Sequence, residues 1–227
     1  MEADANIWSM LAHDIEASHR RAPLRGLHLN RVESLTDGVF AIAMTILVFD
    51  LKGAPIGARD ANGLLAFLAS VNDNLISYVV SFFLLALFWF YYHKQLHRIA
   101  RADDGLVWLN IGFLFVVTLV PFSAYVLGKY FGVPLASLIY CGNIVLVGLF
   151  QLLHWLHAMR KGLLDPRVTE EIRVGTTLRV VIVQGCYILA FVIALVNPYA
   201  FMVAFWVIPF ALTASRLWLR KRYAATP

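Results

Sequence analysis

Charge is scarce in this chain. Only 15% of its 227 residues are charged, against 60% hydrophobic, a balance that a water-soluble domain does not carry. The mean hydropathy of +0.72 points the same way. Two cysteines are too few for a disulfide framework, and Cys141 and Cys186 both lie in apolar runs, where a thiol behaves as a small hydrophobe. There is no Gly-x-Ser-x-Gly elbow and no Gly-x-x-x-x-Gly-Lys run, so the common nucleophilic and phosphate-cradling motifs are missing. A net charge of +5 would suggest nucleic acid only if the bases shared one face of a soluble module. Here they sit between apolar stretches, so no nucleic-acid partner is expected.

What the chain has in abundance is long apolar runs. About 20 apolar residues in a helix cross roughly 30 Å of hydrocarbon, and six such runs can be read at about 33–51, 74–93, 106–128, 134–157, 177–196 and 199–219. The spacing therefore predicts an all-α, polytopic membrane protein with six transmembrane helices and the lipid bilayer as its solvent. Pro121 falls near the end of the third run, where a break in the backbone ladder is tolerable. Asn197-Pro198 separates the last two runs and predicts a tight antiparallel hairpin. Of the 19 lysines and arginines, all but Lys52, Arg59 and Lys129 fall in segments assigned to one side. Positive residues stay on the cytoplasmic side, so both termini are expected there.

The resulting division is a cytoplasmic segment at 1–30, a transmembrane domain at 31–222 and a tail at 223–227. The first 30 residues do not read as a cleavable signal, because acids, histidines and bases replace a compact apolar core. Ile7, Trp8, Leu11 and Ile15 share a helical spacing that suits a short surface helix, and a frayed tail fits equally. The 52–71 connection has an apolar second half that suits an extension of the second helix.

Polar groups at membrane depth need a partner or a watery path, and the first run concentrates them. Arg31, Glu33, Ser34, Thr36 and Asp37 fill its beginning, whereas 38–49 is apolar except for Thr45. Trp89 and His93, near the end of the second run, and Asn110, near the matching end of the third, have compatible depths. A buried cluster with Asp37 is therefore physically sensible, although Trp89 and His93 also suit an interfacial belt.

Arg31-Val32-Glu33-Ser34-Leu35-Thr36-Asp37 and its continuation through Ala41 to Leu47 resemble the first-helix signature of the transmembrane protein 175 family, potassium-permeable channels of lysosomes and their single-repeat bacterial relatives. That signature is Arg, three variable positions, then Phe-Ser-Asp. Leu35 and Thr36 depart from it while keeping a large apolar group followed by a hydroxyl. Ser81-Phe82 to Phe88-Trp89 with His93, and Trp108-Leu109-Asn110 leading to Pro121-Phe122, extend the likeness. The resemblance implies a homotetramer in which four first helices line one pore for monovalent cations, potassium among them, in a bacterial plasma membrane, with no cofactor. It also implies a narrow apolar ring at Ile42, a hydroxyl layer at Thr45 and a further apolar layer at Phe49. Spacings of three and four residues put these on one helical face. Arg31, Thr36, Asp37, Trp89, His93 and Asn110 become supports of that helix. No Thr-Val-Gly-Tyr-Gly segment is present, so any selectivity must come from side chains rather than a carbonyl filter.

Rival readings come from other classes. His93 and His97 are four apart and His154 and His157 three apart, so each pair shares a helical face and suits a membrane metal transporter or metalloenzyme. Neither pair has a carboxylate or cysteine close by in sequence to complete a site. An ion-coupled transporter would ordinarily show inverted repeats and interrupted helices, and neither is evident. A purely structural membrane subunit remains a further alternative.

Overall fold

The structure, a computed structural model, describes residues 24–51 and 60–203, together with 207, 208, 211, 213 and 214. The chain forms α1 (Leu24–Ile46), continued by a 3-10 turn at Leu47–Asp50, then α2 (Ala61–Ser70), α3 (Asn72–Leu96), α4 (Asp104–Thr118), α5 (Val120–Lys129), α6 (Pro134–Arg160) and α7 (Glu170–Val196). Among the described residues, five helical stretches are long and apolar enough to cross a membrane: α1 with its 3-10 turn, α3, α4 with α5, α6 and α7. The short surface helix expected at 6–15 and most of the predicted run at 199–219 lie outside the described residues.

Helix ends follow local chemistry more than the limits of the apolar runs. Asp60, Asp103 and Thr169 cap α2, α4 and α7, each side chain accepting from a backbone N–H three residues on, which satisfies donors that a first helical turn leaves open. The fifth predicted run therefore begins seven residues early, at Glu170, because the Thr169 cap and a Glu170–Arg173 ion pair support a polar first turn. The 52–71 connection does not simply lengthen the second span. Residues 61–70 form their own helix, joined to α3 through Val71.

The third span breaks in its middle. Pro121 has no N–H to offer the preceding turn, α4 stops at Thr118, and the Leu119 N–H turns back to Val116 O at 3.3 Å. The helix resumes as α5 and runs to Lys129, so the proline divides the span rather than trimming its end.

Packing places α1, α3 and α4 together, α5 against α3 and α6, and α6 against α7. On α1 and its 3-10 turn, Val32, Thr36, Phe40, Ala43 and Leu47 are buried, a spacing of three or four that faces α3 and α4. Phe40 meets Phe113 at 5.8 Å between ring centroids. At one end of the bundle, the loop after α3 pairs with the loop after α6: Ala100 N donates to Leu163 O and Asp165 N to Arg98 O, each at 2.9 Å. These two loops carry Arg98, Arg101, Lys161 and Arg167, so the structure collects basic residues at one end. At the opposite end, Asn197 Oδ1 accepts from Tyr199 N and Ala200 N at 2.9 and 3.1 Å, forming the turn expected at Asn197-Pro198. Gly132 lies beneath Tyr199 there with φ of 85°, a left-handed conformation that glycine adopts without strain.

Candidate functional site

α1 has two unlike faces, and the difference defines the site. Opposite the buried stripe, Leu35, Gly38, Ile42, Thr45 and Phe49 form an uncovered stripe repeating at three and four residues. Ile42 is 60% exposed and Phe49 66%. A Cβ built on Gly38 would meet nothing within 4 Å, so this face is open along its length. Hydrocarbon would accept Ile42 and Phe49, but a threonine midway between them makes the stripe chemically mixed. Thr45 Oγ1 lies 3.0 Å from Ala41 O and 2.9 Å from Ile42 O. Its proton is therefore committed to the helix backbone, which leaves the oxygen lone pairs available outward.

Beside this stripe lies an open groove of about 440 Å³ between α1 and the α4–α5 break, lined in part by Val39, Ile42, Ala43, Thr118, Pro121 and Phe122. Thr118, Pro121 and Phe122, at and beside the break, form its wall opposite α1. In the single chain both groove and stripe are uncovered.

The buried side of α1 carries a polar cluster at the end near the basic loops. Trp89 Nε1 donates to Asp37 Oδ1 at 2.8 Å. Tyr92 OH donates to Asn110 Oδ1 at 2.6 Å, and Thr36 Oγ1 lies 3.2 Å from the same oxygen and 2.8 Å from Val32 O. Asn110 and Tyr92 are fully enclosed, so each of these bonds replaces water that cannot reach the group. Tyr92 also stacks on Phe113 at 4.2 Å. The cluster thus links α1, α3 and α4 by directional bonds in a region where apolar contact alone discriminates poorly between helices.

Of the six residues read as supports, Thr36, Asp37, Trp89 and Asn110 make bonds across helices. His93 stacks on Trp89 at 5.5 Å but turns its Nδ1 toward Glu33 Oε1, 3.3 Å away. Arg31 is exposed and forms no ion pair with Asp37 among the described residues. Reasoning from sequence missed Tyr92, hidden in an aromatic run, and Glu33. The glutamate corrects one argument: both His93 and His97 do have a carboxylate close by, supplied by a different helix, and His97 Nδ1 lies 3.4 Å from the same oxygen. The other histidine pair separates. His154 is buried 3.1 Å from Gln95 Nε2, while His157 engages Asp103 at 2.9 Å.

Comparison with known proteins gives a consistent picture. A family model described as "Endosomal/lysosomal potassium channel TMEM175" matches residues 31–121, the stretch from the start of the Arg31 signature to the proline break. A potassium channel of Streptomyces collinus is 36% identical over 155 residues, covering 66% of this chain and 74% of the relative. A potassium channel of Chamaesiphon minutus is 27% identical over 181 residues, covering 74% and 85%. The crystal structure of a lysosomal potassium-selective channel TMEM175 homolog from Chamaesiphon minutus superposes with a TM-score of 0.72 at 25% identity, covering 83% of this chain and 98% of that one.

Proposed function

The chain belongs to the TMEM175 family, and from that premise we propose that it is a potassium-permeable cation channel, not an enzyme. The observation that carries this reading is the uncovered stripe of α1, where Ile42, Thr45 and Phe49 stand on one open face in the segment that also bears the family signature. The relatives named as potassium channels support the ion class.

In the proposed assembly, four copies turn this stripe toward a common axis, and the groove beside it receives part of a neighbouring subunit. A cation leaving water meets a ring of Ile42 side chains, which excludes water when narrow and so serves as the gate. The next layer holds four Thr45 oxygens. Because each hydroxyl proton points back at its own helix, the oxygens present lone pairs that replace part of the hydration shell. Phe49 narrows the far end. Asp37, held by Trp89, and Thr36, held near Asn110, fix the rotation of α1 so that the stripe keeps facing the axis. We place both termini and the basic loops in the cytoplasm of a bacterial cell, following the retention of positive residues on that side.

Reversal potentials of purified protein in planar bilayers, with potassium on one side and sodium on the other, test this reading. Wild-type current is expected to reverse on the potassium-selective side of zero. Thr45→Val keeps the shape but removes the oxygen layer, and a replacement of this kind is expected to move the potential toward zero. Absence of current from wild type contradicts the channel reading. An unchanged potential in Thr45→Val removes the threonine from selectivity.

A further inference from the structure

We propose that Glu33, His93 and His97 form a binding site for a divalent transition-metal ion of the zinc class, one per subunit, clasping the beginning of α1 to the end of α3. His93 and His97 stand one turn apart on α3 and so share a face, and α1 brings Glu33 against that face. Potential ligand atoms of all three lie within 4.8 Å of one another.

The spacing suits a metal better than a hydrogen bond. Glu33 Oε1 is 3.3 Å from His93 Nδ1 and 3.4 Å from His97 Nδ1. Charge-assisted hydrogen bonds run at about 2.7–2.9 Å, so the carboxylate is tightly committed to neither ring. Ligands about 2.0–2.1 Å from a tetrahedral zinc ion stand roughly 3.3–3.5 Å from each other by simple trigonometry, and the two separations between Glu33 and the histidines fall there. Two imidazoles and one carboxylate also favour zinc-class ions over potassium, calcium or magnesium, which take oxygen ligands.

The surroundings are arranged for such a role. Trp89 stacks on His93 with an interplanar angle of 24°, and its own N–H is tied to Asp37, so the His93 ring is held from behind. His97 is 57% exposed, giving ions a route from water. Three protein ligands leave the fourth position to water, the pattern of an open zinc site. The ion would tie the first turns of α1 to a helix that already holds Asp37. This inference stands apart from the channel reading, since metal binding is measured without any current.

Titration of the full-length, metal-free protein in detergent with zinc chloride by calorimetry, and with cobalt(II) by visible absorption, tests the site. One zinc ion per chain is expected, with the intense absorption of tetrahedral cobalt. His97→Ala and Glu33→Gln are each expected to weaken zinc binding by about tenfold or more. His157→Gln, which alters a histidine already engaged by Asp103, is expected to change nothing. His97 is exposed at a helix end, so its replacement leaves the bundle intact, and unchanged elution on gel filtration verifies this. Failure to bind zinc, or binding that survives both His97→Ala and Glu33→Gln undiminished, overturns the proposal.

Discussion

Asn110 holds two hydroxyls with one oxygen. Tyr92 and Thr36 approach Asn110 Oδ1 from α3 and α1, and Asn110 and Tyr92 are fully buried. Asn110→Ala leaves the Tyr92 hydroxyl without an acceptor, a loss of about 1–3 kcal/mol, and Thr36 retains Val32 O. The variant is expected to unfold several degrees below wild type in detergent, read by differential scanning fluorimetry. Tyr92→Phe is expected to be milder, because it removes the donor together with its need for a partner. An Asn110→Ala protein as stable as wild type would show that the cluster contributes little. Residues such as Thr36, Asp37 and Asn110 were legible because polar groups in an apolar run demand an explanation. Tyr92 was not, because a tyrosine within Trp-Phe-Tyr-Tyr-His reads as a belt residue. Glu33 escaped for another reason: its partners belong to another helix, and the register between helices is not written in either one alone.

Elements meet through close approaches that single atoms can spoil. A Cβ at Gly148 on α6 would strike Gln184 Oε1 and lie 2.8 Å from the Tyr187 ring on α7, whereas one at Gly142 would sit 3.5 Å from Phe191, an ordinary contact. Gly148→Ala is therefore expected to destabilise by about 1–3 kcal/mol through overpacking. Gly142→Ala is expected to be neutral or to gain up to about 1 kcal/mol from helix propensity. Thermal midpoints of the two variants distinguish these outcomes. Both glycines look alike in sequence, and only the facing side chains separate them.

Asp103 joins two elements at the basic end, capping α4 through Leu106 N–H while engaging His157 of α6. Burial pushes its carboxyl upward, but the Leu106 and His157 hydrogen bonds outweigh that effect and hold it below the usual carboxylate range. A depressed folded value stabilises above the unfolded value of about 3.9, and the contribution fades as pH falls through the lower folded value. Asp103→Asn, which can still cap, is expected to flatten the loss of stability below about pH 4 in acid titrations followed by fluorescence. An unchanged acid limb would remove Asp103 from that transition. The positions of the five described spans followed from hydropathy. Their ends did not, because the Thr169 cap carries α7 into polar sequence and Pro121 breaks a span that its apolar composition presents as continuous.

For the molecule as a whole, the charge asymmetry of the sequence has a structural counterpart in the paired loops after α3 and α6, which gather basic residues at one end. α1 has an inner stripe bonded to its neighbours and an outer stripe that, in the proposed assembly, faces the pore. A cysteine placed on that outer stripe should sit in the path of the ion, and the native Cys141 and Cys186 are buried. Silver ions, similar to potassium in charge and size, report such a thiol by blocking current. The account predicts rapid block of Ile42→Cys channels in planar bilayers, with wild type and Phe115→Cys, altered on the outward face of α4, left conducting. Current through Ile42→Cys that resists silver, or block at Phe115→Cys instead, would contradict it.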